Sequence, residues 1–466
     1  MNQTNLLYEK IPYSIDRFFN TYTSLTVDST HHVLLESGRS GRYSIAGIQP
    51  FAIIQGEDQT LKVEQAGNTR IVEGKPLAEL EKWMKSFSFS PELGLPDFQG
   101  GAIGYISYDY SQSIEELPNL AEDDLQLPLL YFLIFDEWAV YDHEDECLWL
   151  MVYNRAESEE KLARLKQSWL SSPCREEKHF EKIDIDKKLC VSFTEAEFVA
   201  AVQKIQAYIR EGDVFQVNLA VRQSRQIGIP PIAIYKELRK LNPSPYMGYL
   251  HTPDFQIVSG SPELLIQKSG QHVSTRPIAG TRPRGRDDNE DQTLANELIE
   301  NEKERAEHIM LVDLERNDLG RVCEYGSVHV DEFMIVEKYS HVMHIVSHVS
   351  GQLAEEKTVC DLVEAMFPGG TITGAPKIRT LEIIEELEPV KRGIYTGSLG
   401  WIGFNKDLHL NIVIRTMIVK DGMAHVQAGA GIVIDSKPTA EYRESLKKAE
   451  ALWKAKELAE QKETVR

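Results

Sequence analysis

The sequence is poor in cysteine, short of positive charge, and free of long apolar runs. Five cysteines, Cys147, Cys174, Cys190, Cys323 and Cys360, are scattered over 466 residues, and none forms a Cys-x-x-Cys pair. An odd, dispersed set excludes a disulfide framework and reads as reduced thiols. The apolar stretch Leu129 to Phe135 is too short to span a bilayer and reads as a buried strand. The opening residues, Met1 to Lys10, lack the apolar core of a secretory leader, so cytoplasmic residence without membrane contact is expected. Lys and Arg number 51 against 72 Asp and Glu, a net charge of −21. Such a field repels nucleic acid and anionic lipid, so an anionic ligand must find a local cluster of cations.

Several familiar signatures are also missing. Gly369-x-x-x-x-Gly374 begins like a phosphate-binding loop, but Ala375-Pro376 follows where Lys-Ser/Thr is needed. Proline also removes an N–H that would cradle phosphate. Gly429-Ala430-Gly431 lacks the third glycine of a dinucleotide fingerprint. His341, His344 and His348 lie among Val342, Ile345, Val346 and Val349, a β-branched setting that favours a strand over a zinc-binding helix. No cysteine sits in a Gly-x-Cys-x-Gly turn of the glutaminase kind.

What is present reads as two regions and a linker. Residues 1–153 alternate short β-type runs with Gly and Pro punctuation, and Gly100 to Tyr105 places glycines inside an apolar run, a sign of close strand packing. Residues 154–190 are charged and read as a linker with a surface helix from Glu157 to Leu170. Residues 191–459 open with a Thr194-capped amphipathic helix, on which Phe198, Val202, Ile205 and Ile209 recur at helical spacing. Strands and helices of this kind predict a mixed α/β protein with large sheets.

Two features stand out as chemistry. Arg276 to Arg286 crowds Arg276, Arg282, Arg284 and Arg286 around Gly280-Thr281, a turn able to offer backbone N–H groups and a hydroxyl to an anion. A helix expected from Asp291 to Leu311 carries Glu300, Glu304 and Glu307 on one side. Glu441 and Glu444 open a terminal helix expected from Pro438 to Ala459. Acidic stripes are usually solvated faces, but two such pairs from distant segments could also converge on a hard cation such as Mg²⁺.

The sequence resembles the chorismate-utilising enzymes, the family of anthranilate synthase and aminodeoxychorismate synthase large components. The resemblance runs from Leu34-Leu35-Glu36-Ser37 to Glu441-Tyr442-Arg443-Glu444. It includes Asn242-Pro243-Ser244-Pro245-Tyr246-Met247, Pro277-Ile278-Ala279-Gly280-Thr281, Thr373-Gly374-Ala375-Pro376-Lys377 and Gln427-Ala428-Gly429-Ala430-Gly431. It implies a mixed α+β fold whose large, antiparallel-rich sheets form a β-sandwich flanked by helices. It further implies Mg²⁺ held by Glu307 and Glu444, with Glu304 and Glu441 nearby through waters. By the same resemblance Gly280, Thr281, Tyr395, Arg415, Gly429, Ala430 and Gly431 bind the chorismate carboxylates. Glu263 is the general acid, and His344 and Thr371 complete the active site. Ser37, Pro245, Tyr246 and Met247 match the family's tryptophan pocket.

Relatives that add water carry a lysine where this chain has Gln216, and a neutral amide cannot serve as that base, so ammonia is the expected nucleophile. Ala279 resembles the anthranilate branch. Four stretches resemble the aminodeoxychorismate branch: Phe215 to Ala220, Phe367 to Thr373, Gly397 to Trp401 and Leu410 to Ile414. The expected reaction is therefore chorismate plus ammonia to 4-amino-4-deoxychorismate, with anthranilate formation as the alternative. A separate glutamine amidotransferase subunit is the expected source of ammonia.

Overall fold

The structure, a computed structural model, describes residues 5–38, 41–155, 157–171, 188–339 and 342–465. Cys174, His341 and part of the expected linker lie outside these residues. Two twelve-stranded sheets form the body of the protein, and every strand pair in them is antiparallel. One sheet is centred on His32–Glu36, Tyr246–His251, Phe255–Ser261 and Thr416–Lys420, and continues through Met423–Ile432 to Gln216–Gln226. The other runs from Ile278–Pro283 and Val342–Gln352 through Leu408–Ile412, Ser398–Gly403 and Gly101–Ile106 to Asn68–Glu73.

The sheets pack face to face. One apolar cluster joins Val33, Ile45, Leu250 and Ile257 of the first sheet to Ile103, Tyr105, Leu133 and Leu399 of the second. Phe255 meets the rings of Tyr105 and Tyr131 edge-on at 5.7 and 5.3 Å. The outer faces are covered by helices, so both faces of many strands are buried. Val33 points into the intersheet cluster and Leu34 into the helix-covered one, which is why such strands read as unbroken apolar runs.

The regions 1–153 and 191–459 are interleaved, since each supplies strands to both sheets. His32–Glu36 pairs with Tyr246–His251, and Gly101–Ile106 pairs with Ser398–Gly403. At the second junction Gly104 lies opposite Gly400. A β-carbon on either would fall 1.9 to 2.0 Å from a neighbouring backbone oxygen, so the close approach expected from this glycine run is real.

Two helix boundaries differ from the sequence reading. The acidic helix is two helices, Asp288–Glu300 and Glu302–Gly320, broken at Asn301. Asn301 caps the second helix, its side chain accepting the Glu304 N–H at 3.1 Å, and this local bond competes with helix continuation. Glu300 is therefore not on the helix that carries Glu304 and Glu307. The C-terminal segment likewise divides into Pro438–Lys447 and Glu450–Val465. The Thr194 cap is present as a reciprocal pair with Glu197.

Candidate active site

The strands Gln216–Gln226 and Met423–Ile432 lie side by side, with Asn218 opposite Gly431 and Ala220 opposite Gly429. Side chains two apart share a face, so Gln216 and Asn218 project together, while Val217 and Leu219 enter the core behind. The glycines make room for them. A β-carbon at Gly431 would lie 2.4 Å from Gln216 Nε2, and one at Gly429 would lie 2.4 Å from Asn218 Oδ1. Gln216 Nε2 donates to Glu307 Oε1 at 3.2 Å. Asn218 Oδ1 is buried and has no hydrogen-bond partner among the described residues.

Glu263 follows the strand Phe255–Ser261 and is buried. Burial pushes its pKa from 4.5 up to about 7, against the opposing pull of the Thr371 hydroxyl, the Arg415 charge and the Ile278 backbone N–H. The Thr371 hydroxyl faces this carboxyl group, yet neither Thr371 Oγ1 nor Glu263 Oε1 completes a hydrogen bond with the described protein. Buried polar atoms left open cost about 1–3 kcal/mol each. Two such atoms side by side, Thr371 Oγ1 and Glu263 Oε1, mark a place able to receive a polar ligand.

His344 Nδ1 lies 2.8 Å from the Gly280 carbonyl and 3.1 Å from Thr281 Oγ1. A carbonyl only accepts, so Nδ1 carries the proton and Nε2 keeps a free lone pair. Burial lowers the His344 pKa and favours this neutral form. Gly280 has φ 63°, the left-handed region that favours glycine, and a β-carbon there would lie 2.9 Å from Glu304 Oε2. The buried Tyr395 hydroxyl meets the Gly429 backbone N–H.

The arginines behave differently from the sequence expectation. Arg276 pairs with Glu337 and Glu332, Arg282 with Glu304, Arg284 with Asp291, and Arg286 with Glu290. Each is matched by a local carboxylate, so the cluster is neutralised. Arg415 is the contrasting case. Its guanidinium is largely buried, burial lowers its pKa, and no carboxylate among the described residues lies within ion-pair distance. Its backbone is held at φ 50° and that of Thr396 at φ 60°, a strained conformation for non-glycine residues that collects at functional sites.

Glu304 and Glu307 lie on the helix Glu302–Gly320, Glu441 and Glu444 on Pro438–Lys447. Burial raises the Glu307 pKa, an effect moderated by Gln216 and by the nearby Lys448 charge. Lys448 Nζ reaches Glu444 at 3.0 Å and donates to the Gly429 carbonyl at 2.9 Å, close enough for its charge to be felt at Glu307. Among the described residues no three of these four carboxylates bring oxygens within 4.8 Å of one another. Carboxylate oxygens are the donor type that a hard cation takes, and they are not the donors of a closed zinc cage. The one compact cluster of candidate metal donors among the described residues, Asp142, Asp145 and Cys147, has its carboxylates paired with Arg42 and Lys10.

Ser37, Pro245, Tyr246 and Met247 do come together, lining a cavity of about 290 Å³ with Glu36, Arg276, Trp401 and His409. Burial pushes the Tyr246 hydroxyl up to about 12. A cavity of about 330 Å³, lined by Leu77, Lys268 and Cys360, contains none of the site residues. The sequence reading did not assign roles to Asn218 or Lys448. Lys448 was visible as a cation four residues after Glu444, and Asn218 lay within the Phe215 to Ala220 stretch without a signal of its own.

Residues 30–454 match the profile of the chorismate binding enzyme family. The chain belongs to that family. It is 54% identical over 462 residues to aminodeoxychorismate synthase component 1 of Bacillus subtilis, covering 98% of each chain. It is 41% identical to anthranilate synthase component 1 of Acetivibrio thermocellus, over 97% of this chain and 96% of that one. The structure superimposes on anthranilate synthase component I from Streptococcus pneumoniae with a TM-score of 0.80 and 36% identity, covering 89% of this chain and 92% of the other. The mixed α+β sandwich expected from the sequence is the fold these relatives share.

Proposed function

We propose that the protein converts chorismate and ammonia to 4-amino-4-deoxychorismate, the precursor of 4-aminobenzoate in folate synthesis. The observation that carries this reading is the full-length 54% identity to an aminodeoxychorismate synthase component 1, well above the 41% to an anthranilate synthase. Ala279, buried where many aminodeoxychorismate-branch relatives carry a lysine that attacks C2, resembles the anthranilate branch and favours the second reading, anthranilate plus pyruvate.

Arg415 offers its fork to one substrate carboxylate, and Tyr395 with the Gly429–Gly431 amides receives the other. Glu307 and Glu444 would hold Mg²⁺, with Glu304 and Glu441 acting through waters; when bound, the ion would neutralise a carboxylate and orient the ring. Glu263, protonated up to about pH 7, donates its proton to the C4 hydroxyl as the C4–O bond breaks and water departs. Ammonia supplies the electron pair for the new C–N bond, and the nitrogen then sheds a proton. The Ala279 methyl group cannot attack C2, so the protein stays unmodified throughout.

Ammonia comes from solution or from a glutamine amidotransferase subunit, the partner that the absence of a glutaminase turn calls for. No helix of the described residues is long and apolar enough to cross a membrane, in keeping with a cytoplasmic enzyme. Pyruvate release tests the reaction. Chorismate consumption without pyruvate, measured by a coupled lactate dehydrogenase assay, is expected; one pyruvate per chorismate selects anthranilate formation instead.

A further inference from the structure

Arg392 belongs to none of the groups named for substrate or metal, yet it touches the segments that carry them. It lies between the helix Lys377–Leu387 and the strand Ser398–Gly403, and its side chain is 1% exposed. Each of its five N–H bonds finds an acceptor. Nε and Nη2 donate to Glu388 at 3.0 and 2.7 Å. The second Nη2 proton goes to the Asn218 carbonyl at 2.7 Å. Nη1 donates to the Ile372 carbonyl at 2.9 Å and to Thr396 Oγ1 at 3.3 Å. The guanidinium also lies 4.8 Å from the Tyr108 ring and 5.7 Å from the Tyr395 ring. Glu388 extends the network by accepting the Ala220 N–H at 2.9 Å.

Three separate pieces of chain therefore end on one planar group: the strand that presents Gln216 and Asn218, the turn that presents Thr371, and the loop that presents Tyr395. No lysine can do this, because an ammonium has three donors around a point and no fixed fork. Stability alone is a weak reason for such a group, since a buried ion pair can often be replaced by apolar residues at no loss. The turn itself has other anchors at its base, a Thr373 Oγ1 bond to the Gly369 carbonyl at 3.0 Å and the packing of Leu314 against Gly370. At its far side, the Ile372 carbonyl is bonded to Arg392.

We propose that Arg392 is a positioning residue for the proton-transfer centre, holding the Gly370–Ile372 turn so that the Thr371 hydroxyl faces Glu263. The activity readout for this role rests on the reaction proposed above; the exchange readout does not.

The test is a double-mutant cycle on turnover, with hydrogen exchange of the turn measured on the same proteins. Arg392→Lys keeps the charge and loses the fork. Its kcat is expected to fall about 30-fold or more, because an error of about 1 Å in a reacting geometry costs about 10²-fold. Its KM for chorismate should stay within about 3-fold. Adding Thr371→Val should cost no more than about 3-fold beyond the worse single variant, since residues acting through one another are not additive. Amides of residues 369–373 should exchange faster in Arg392→Lys while the sheet strands keep their protection. A kcat within about 3-fold of wild type, losses that multiply in the double variant, or unchanged exchange in the turn would each overturn the role. If Arg392→Lys does not fold, Glu388→Gln, which weakens the anchor and leaves the guanidinium, must give the same kcat loss and exchange pattern, and its failure to do so overturns the role equally. A wild-type protein that consumes no chorismate would sink the proposed reaction, while the exchange data would still decide the role of Arg392.

Discussion

At the scale of single residues, the decisive group is Glu263. Its carboxyl group is kept neutral by burial and is flanked by a hydroxyl and a guanidinium that limit the shift. Glu263→Gln keeps the shape and removes the proton donor. Turnover should fall by about 10²- to 10⁴-fold, with a thermal unfolding midpoint close to wild type. Undiminished turnover would assign the acid elsewhere. The pH dependence follows in sign. A general acid works while protonated, so the rate per unit of free ammonia should decline as pH rises through about 7. Stability moves the same way: a folded pKa raised above 4.5 costs stability progressively between 4.5 and about 7, and Glu263→Gln should remove that dependence. At this scale the sequence was informative about which residue types matter and misleading about charge. Arg276 to Arg286 reads as an anion trap until the structure shows a carboxylate against each arginine. Arg415, a single arginine inside an apolar stretch, was marked by the family resemblance and by no local charge pattern. That no carboxylate among the described residues forms an ion pair with it is a property of three-dimensional packing.

At the scale of elements, the acidic residues acquire meaning from the helices that carry them. Helical spacing was legible, since Glu304 and Glu307, like Glu441 and Glu444, lie three apart and share a face. The break at Asn301 was not, because an asparagine within a run of good helix formers is weak evidence for a cap. On the proposed reading, Glu307 and Glu444 touch the ion directly, while Glu304 and Glu441 act through waters. Glu307→Ala and Glu444→Ala should lose activity that excess Mg²⁺ does not restore. Glu304→Gln, acting through a water, should raise the half-saturating Mg²⁺ concentration by about 10-fold and remain rescuable. Near-wild-type turnover in Glu307→Ala and Glu444→Ala would return these carboxylates to the category of solvated faces.

At the scale of the whole molecule, the interleaving of the two halves matters most. Composition suggested an N-terminal region, a linker and a catalytic region, and the charged linker hid the fact that long-range pairing joins both sides of it. Sequence patterns report which face of a strand is buried, and they do not report which distant strand it pairs with. Removing residues 1–153 would bare the edges of Tyr246–His251 and Ser398–Gly403, long apolar edges that invite aggregation. A fragment covering residues 188–466 is therefore expected to be insoluble or unfolded by circular dichroism, and the intact chain to unfold in one calorimetric transition. A soluble, folded fragment that turns over chorismate would show that the halves are separable.

The central claim concerns where nitrogen enters the substrate. Incubation of the protein with chorismate, Mg²⁺ and ¹⁵N-labelled ammonium at alkaline pH, followed by proton–nitrogen NMR of the unfractionated product, reads the position directly. The expected result is ¹⁵N bonded to C4 of a non-aromatic ring that retains its enolpyruvyl side chain. Nitrogen on C2 of an aromatic ring, with the side chain lost as pyruvate, would contradict it.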